Sequence, residues 1–92
     1  MGMGNPEPIF LAQNVRLASA PRYMKEKHVR LQVAQGPRGG SLRALGWHLA
    51  ERVQEMQLEE DSVIHLAYKL RENDHPEFGG LELEIAGIFP SV

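Results

Sequence analysis

From Lys27 to Gln35 the chain alternates: Val29, Leu31 and Val33 are apolar, and His28, Arg30, Gln32 and Ala34 fall between them. A period of two puts the first set on one side of a β-strand and the second on the other. The same pattern predicts a strand over Val15 to Ser19, with Val15 and Leu17 sharing a face, and another over Ser41 to Trp47. It predicts a further strand over Ser62 to Arg71, where Ile64, Leu66, Tyr68 and Leu70 share a face, and a last one in which Leu81, Leu83 and Ile85 alternate with Glu82, Glu84 and Ala86. Gly87 predicts a bulge that returns Ile88 to the core side. The period changes once. Leu49, Val53 and Met56 recur at i, i+4 and i+7, with Glu51, Arg52, Gln54 and Glu55 on the other side, which predicts a helix of about two turns.

Between these segments stand turn and loop signals. Gly36-Pro37-Arg38-Gly39-Gly40 suits a hairpin, Glu59-Glu60-Asp61-Ser62 a turn, and Glu72 to Gly80 a polar loop. Pro6 and Pro8 remove backbone donors and hold their predecessors extended, so residues 1–8 read as a linker and residues 9–92 as a single domain. Three strands, a helix and two strands are the order of a mainly β, five-stranded Greek-key OB-type barrel with one short helix between strands 3 and 4. Closing the sheet would remove most exposed edges in a chain too short for a sandwich. A small α+β sheet domain is the competing architecture.

Composition narrows the chemistry. Ninety-two residues (10.3 kDa) allow one domain, and 42% hydrophobic with 24% charged residues is the make-up of a folded chain. With no cysteine, thiolate catalysis, disulfides and zinc fingers are excluded, and a reducing compartment is expected. The apolar runs are too short for a membrane span, and the first residues lack the basic and apolar regions of a signal peptide, so the expectation is a soluble, cytoplasmic domain. His28, His48, His65 and His75 are 20, 17 and 10 residues apart, without ligand-pair spacing, and read as ordinary satisfied or solvated histidines. No serine sits in a Gly-x-Ser-x-Gly context and neither glycine pair opens a helix, so the chain alone is not expected to be an enzyme and holds no cofactor or metal.

Charge points toward binding. Asn14 to Arg43 carries seven basic residues and one acid, net +6, whereas Ala44 to Val92 carries three basic residues and ten acids, net −7. Such asymmetry suits a polyanion-binding face on an acidic body, although cross-strand pairing of the two halves is the plain alternative. In an OB barrel the loop between strands 1 and 2 and the face of strands 2 and 3 bind oligonucleotides. That places Lys25, Lys27, His28 and Arg30 as principal backbone contacts for single-stranded DNA, with Arg22, Arg43, Tyr23 and Trp47 secondary. Trp47 and Tyr23 are candidate stacking platforms, with core packing the plainer role for Trp47. Six aromatic residues in all favour an electrostatic groove with little stacking.

Several stretches resemble one family in the right order. Gly2-Met3-Gly4-Asn5-Pro6-Glu7-Pro8-Ile9-Phe10 resembles the junction that follows the catalytic core of the RecJ family, the single-stranded-DNA-specific 5′–3′ exonucleases. Lys25-Glu26-Lys27-His28-Val29-Arg30-Leu31, Ala44-Leu45-Gly46-Trp47, Leu66 to Asn73 and Leu81 to Ile85 are similar to that family's second strand, pre-helix segment, fourth strand and last strand. Two features depart from the family's pattern: no Trp or Tyr closely follows Asn73, and Gly87 stands where aspartate is common. The resemblance implies the OB domain of a longer DNA repair and recombination hydrolase, whose separate metal-binding core would use Mn or Mg for hydrolysis. Its implied partners are single-stranded DNA and that catalytic core. The alternative is a protein–protein docking module that packs on the core or on single-strand binding protein.

Overall fold

The computed structural model describes residues 7–34, 36, 39–73 and 80–91. Six strands and one helix follow the order β1 (Phe10–Arg16), β2 (Arg22–Met24), β3 (His28–Ala34), β4 (Ser41–Gly46), α1 (Ala50–Met56), β5 (Val63–Asn73) and β6 (Gly80–Pro90). They form one sheet in the order β1-β5-β6-β4-β3-β2, antiparallel except where β4 meets β6 at Ala44↔Leu83 and Leu45↔Glu84. A lone bridge, Leu17↔Val33, and the bond from Ala18 N–H to the Gln32 carbonyl (2.7 Å) tie the end of β1 to β3.

This corrects the expected five-stranded closed barrel: among the described residues there are six strands in an open sheet, joined across its gap by that bridge. The difference lies at the first strand. Only Val15 and Arg16 of the expected segment Val15 to Ser19 lie in a strand, as the end of a longer β1, and the chain then leaves regular pairing before β2 takes up β3. Leu17 at this break is fully buried, and backbone bonds to Ser62 and from Asp61 hold it there.

The core is what the period-two segments supply. Val29, Leu31 and Val33 of β3, Ala44 of β4, Ile64 and Leu66 of β5, and Leu83, Ile85 and Ile88 of β6 close around Leu17 and Val53. Ile85 and Ile88 both face inward because Tyr68 pairs with Ile85 and Ala67 with Gly87, which leaves Ala86 as the extra residue of a bulge. The helix lies over the core with Ala50 and Val53 buried and ends at Gln57 in the left-handed conformation (φ +53°).

β5 and β6 are longer than the alternation suggests and pair from Ile64↔Pro90 to Asn73↔Gly80. Their distal part overhangs the core, so Leu70 and Leu81, expected inside, are exposed. Pro37, Arg38 and most of the expected loop after Asn73, including His75, lie outside the described residues.

Candidate nucleic-acid interface

The alternation of β3 that buries its valines also turns His28, Arg30 and Gln32 outward. Register then decides what stands beside them. Arg22 on β2 and Leu45 on β4 flank Arg30, Met24 faces His28, and Arg43 faces Gln32. β2 and β3 are joined by a three-residue turn, Lys25 to Lys27, in which Lys25 and Glu26 take φ of +53° and +63° and Lys27 N–H donates to the Met24 carbonyl. Positive φ at both central residues is the type I′ geometry, which matches the twist of a hairpin and here is adopted without Asn or Gly.

Past Gly46 the chain turns at Trp47 and His48 before entering α1. Gly46 is buried, and a Cβ there would lie 2.9 Å from Leu49 Cδ1 and 3.0 Å from Val29 Cγ1, so the turn passes where only glycine fits without displacement. His48 adopts φ +61° and donates its N–H to His28 Nδ1 at 2.9 Å, and Ala50 N–H donates to the Lys27 carbonyl at 3.0 Å. The β4–α1 turn is thereby pinned to the start of β3. Trp47 stands half-exposed beside His28, ring centroids 5.0 Å apart and edge to face.

These residues enclose a cleft of about 350 Å³ lined by Met24, Lys25, His28, Arg30, Arg43, Leu45 and Trp47. Five of the eight residues expected to contact a nucleic acid therefore converge: Lys25, His28, Arg30, Arg43 and Trp47. Arg22 continues the row from Arg30 at the edge of β2. Lys27 is exposed in the adjoining turn and does not line the cleft. Tyr23 pairs with Val29, so its side chain leaves β2 on the side opposite Arg22 and Met24, away from the cleft. Met24 and Leu45 were not expected here. The signal for Leu45 is parity, since it shares a strand face with Arg43 and Trp47.

The charges divide across the sheet. Among the described residues no carboxylate pairs with Arg22, Lys25, Lys27 or Arg30, whereas Arg43 Nε lies 3.4 Å from Glu82 Oε2. On the β5–β6 side, Arg71 binds both Glu7 and Glu84, and Lys69 lies 3.8 Å from Glu7. The Arg71 guanidinium holds the Glu7 carboxyl below the usual carboxylate range, and Glu7 in turn raises Arg71. Among the described residues the basic and acidic halves pair at Arg16–Asp61 (2.7 Å) and Arg43–Glu82, while the β2–β3 hairpin keeps its positive charge. A second cleft of about 270 Å³, with Arg71, Glu72, Glu82 and Glu84, lies across the ridge made by Leu45 and Trp47.

His28 and His48, far apart in sequence, lie with ring centroids 4.8 Å apart. Burial, and then the nearby His48, Lys25 and Lys27, hold His28 below the ordinary histidine range. His65 faces outward on β5 and accepts the Asn14 N–H at Nδ1. Among the described residues no group of three His, Asp or Glu side chains could hold a metal ion, and no helix is long and apolar enough to cross a membrane.

The architecture has relatives among solved structures. The SSB domain of a protein from Synechococcus sp. superposes with a TM-score of 0.66 at 20% identity, covering 95% of this chain and 98% of that one. The second single-stranded DNA binding protein (SSBb) from Mycobacterium smegmatis gives 0.62 at 15% identity, covering 91% and 88%. At such identities the likeness shows a shared fold. No curated protein matches the chain in sequence. The family model of the RecJ OB domain matches residues 1–87, nearly the whole length, and the chain belongs to the RecJ OB domain family.

Proposed function

We propose that this chain is the non-catalytic single-stranded-DNA-binding domain of a RecJ-like exonuclease, gripping the strand in the cleft between β2, β3 and β4 and helping to feed it to the nuclease core. The observation that carries this reading is the convergence of Lys25, Arg30 and Arg43 with the half-exposed Trp47 on one outward cleft. Lys25 and Arg30, which no carboxylate pairs with among the described residues, are available to replace the counterions of a phosphate backbone, and an aromatic face beside them can stack on a base of any sequence. In this reading the strand is held without base specificity, residues 1–8 lead in from the core, residues 9–92 are the binding domain, and the divalent metal belongs to the core.

Titration of a labelled oligonucleotide of about ten nucleotides, within the span one OB fold covers, at two salt concentrations tests it. Binding that quenches Trp47 and weakens steeply with salt supports the proposal. Weak binding with a flat salt profile would favour a second reading, docking on the core or on single-strand binding protein. One observation favours that alternative: Leu11 is 63% exposed and Phe89 47%, on the outer face of β1, β5 and β6, with Ala67 and Gly87 between them.

A further inference from the structure

A backbone amide can only donate, so the bond from His48 N–H requires a lone pair on His28 Nδ1. The neutral ring must then carry its proton on Nε2. His28 faces outward on β3 and lines the cleft, and with Nδ1 occupied, Nε2–H is the donor left for a ligand. The same ring packs edge-on against both Trp47 and His48. We propose that His28 is a positioning residue with two working edges: Nδ1 latches the Trp47–His48 turn so that the indole borders the cleft, and Nε2–H donates to a phosphate oxygen of the bound strand. The donor role rests on the reading of the cleft as a single-stranded DNA site, whereas the latch role does not.

The surroundings keep the ring neutral. Lys25 and Lys27 approach from the β2–β3 turn, His48 from the β4–α1 turn, Arg30 neighbours it on β3 and Arg43 lines the cleft from β4; Glu26 is exposed in its turn and does not line the cleft. Burial of the ring, and then His48, Lys25 and Lys27 beside it, disfavour a positive charge on His28. Protonation would remove the acceptor at Nδ1, leave the His48 amide without its partner and release the turn that carries Trp47.

Trp47 is the only tryptophan, so its emission reports the turn directly. Two variants separate the two edges. In His28→Asn the amide oxygen replaces Nδ1 as acceptor and no donor stands at Nε2, whereas His28→Gln places a donor near Nε2 and lacks the near acceptor. The whole chain is measured from about pH 8 down to about pH 5, a span that passes below the ordinary histidine value of ~6.5, by Trp47 emission and by affinity for oligothymidylate at fixed salt. The parent's emission is expected to hold at neutral pH and shift on acidification; His28→Asn should keep the native emission, show no shift, and bind about tenfold more weakly or worse, as for loss of a bond to a charged acceptor. His28→Gln should show the released emission already at neutral pH. A parent emission that does not change with pH, or His28→Asn emission matching that of His28→Gln, overturns the latch. Parent-like affinity in His28→Asn overturns the donor. If the parent binds no oligonucleotide at any salt, the reading of the cleft fails, and the emission series still decides the latch.

Discussion

Replacing Arg30 by Gln tests the electrostatic account at its centre. Arg30 sits mid-strand in β3 between Arg22 and Leu45, half-buried, and no carboxylate among the described residues pairs with it. Glutamine keeps much of the length and polarity and removes only the charge. Three cations line the cleft, Lys25, Arg30 and Arg43. With ~0.7 per neutralised single-strand phosphate, the parent should show a log–log salt slope of about −2.1 and Arg30→Gln about −1.4. Between 50 and 200 mM salt the parent would then lose roughly 18-fold in affinity and the variant roughly 7-fold. The assay is fluorescence anisotropy of a labelled oligonucleotide across that range, with circular dichroism confirming the fold. An unchanged slope with unchanged affinity would remove Arg30 from the strand's path. An unchanged slope with reduced affinity would show that Arg30 acts on the fold and not on phosphate.

Three further outcomes follow from the geometry. Glu82→Gln removes the carboxylate 3.4 Å from Arg43, so oligonucleotide affinity should rise about two- to threefold at low salt, the worth of a surface ion-pair partner; unchanged or weaker binding would show that Arg43 does not contact the strand. Gly46→Ala should cost about 1–3 kcal/mol in urea unfolding, as overpacking against Val29 and Leu49 does, and should also move the Trp47 emission; a variant as stable as the parent would contradict the crowding. Because Glu7 titrates below its ordinary range in the folded state, its pairing with Arg71 adds stability above that range and loses it as pH falls through the lowered value. Glu7→Gln should therefore unfold at less denaturant than the parent near pH 7, and a gap that persists in acid would exclude this linkage.

What the sequence made legible depended on burial. β3 announces itself because one face is wholly inside, from Val29 to Val33, and the other is polar. The start of β1 gives no such signal: Phe10 and Leu11 are both exposed, like Ile9 before them, and the strand is held by pairing with β5 and by the Phe10–Tyr68 stack, so apolar positions do not alternate. Leu70 and Leu81 mislead for the opposite reason, since they alternate as core residues do but lie where the β5–β6 hairpin overhangs the core. The β2–β3 turn was hidden because Lys25 and Glu26 take a conformation usually marked by Asn-Gly. In the candidate site, the cations were readable from their clustering in the chain, but convergence depended on register. Tyr23 falls away from the cleft because it pairs with Val29, and the contact of His28 with His48 spans a loop closure that no spacing rule describes.

β2 consists of three residues, none of them buried, and its ladder runs to β3 alone. One bank of the groove is therefore a tab hinged on a rigid body. Its opening breaks a few backbone bonds and exposes no core, so it draws on a local free energy well below that of global unfolding. Amides of β2 would exchange with solvent ahead of those in β3 and β4, and a ligand would slow that exchange by closing the tab. Such a bank can adjust to strands of different bulk while Leu31 and its neighbours stay still, which suits the proposed hold on a strand of any sequence.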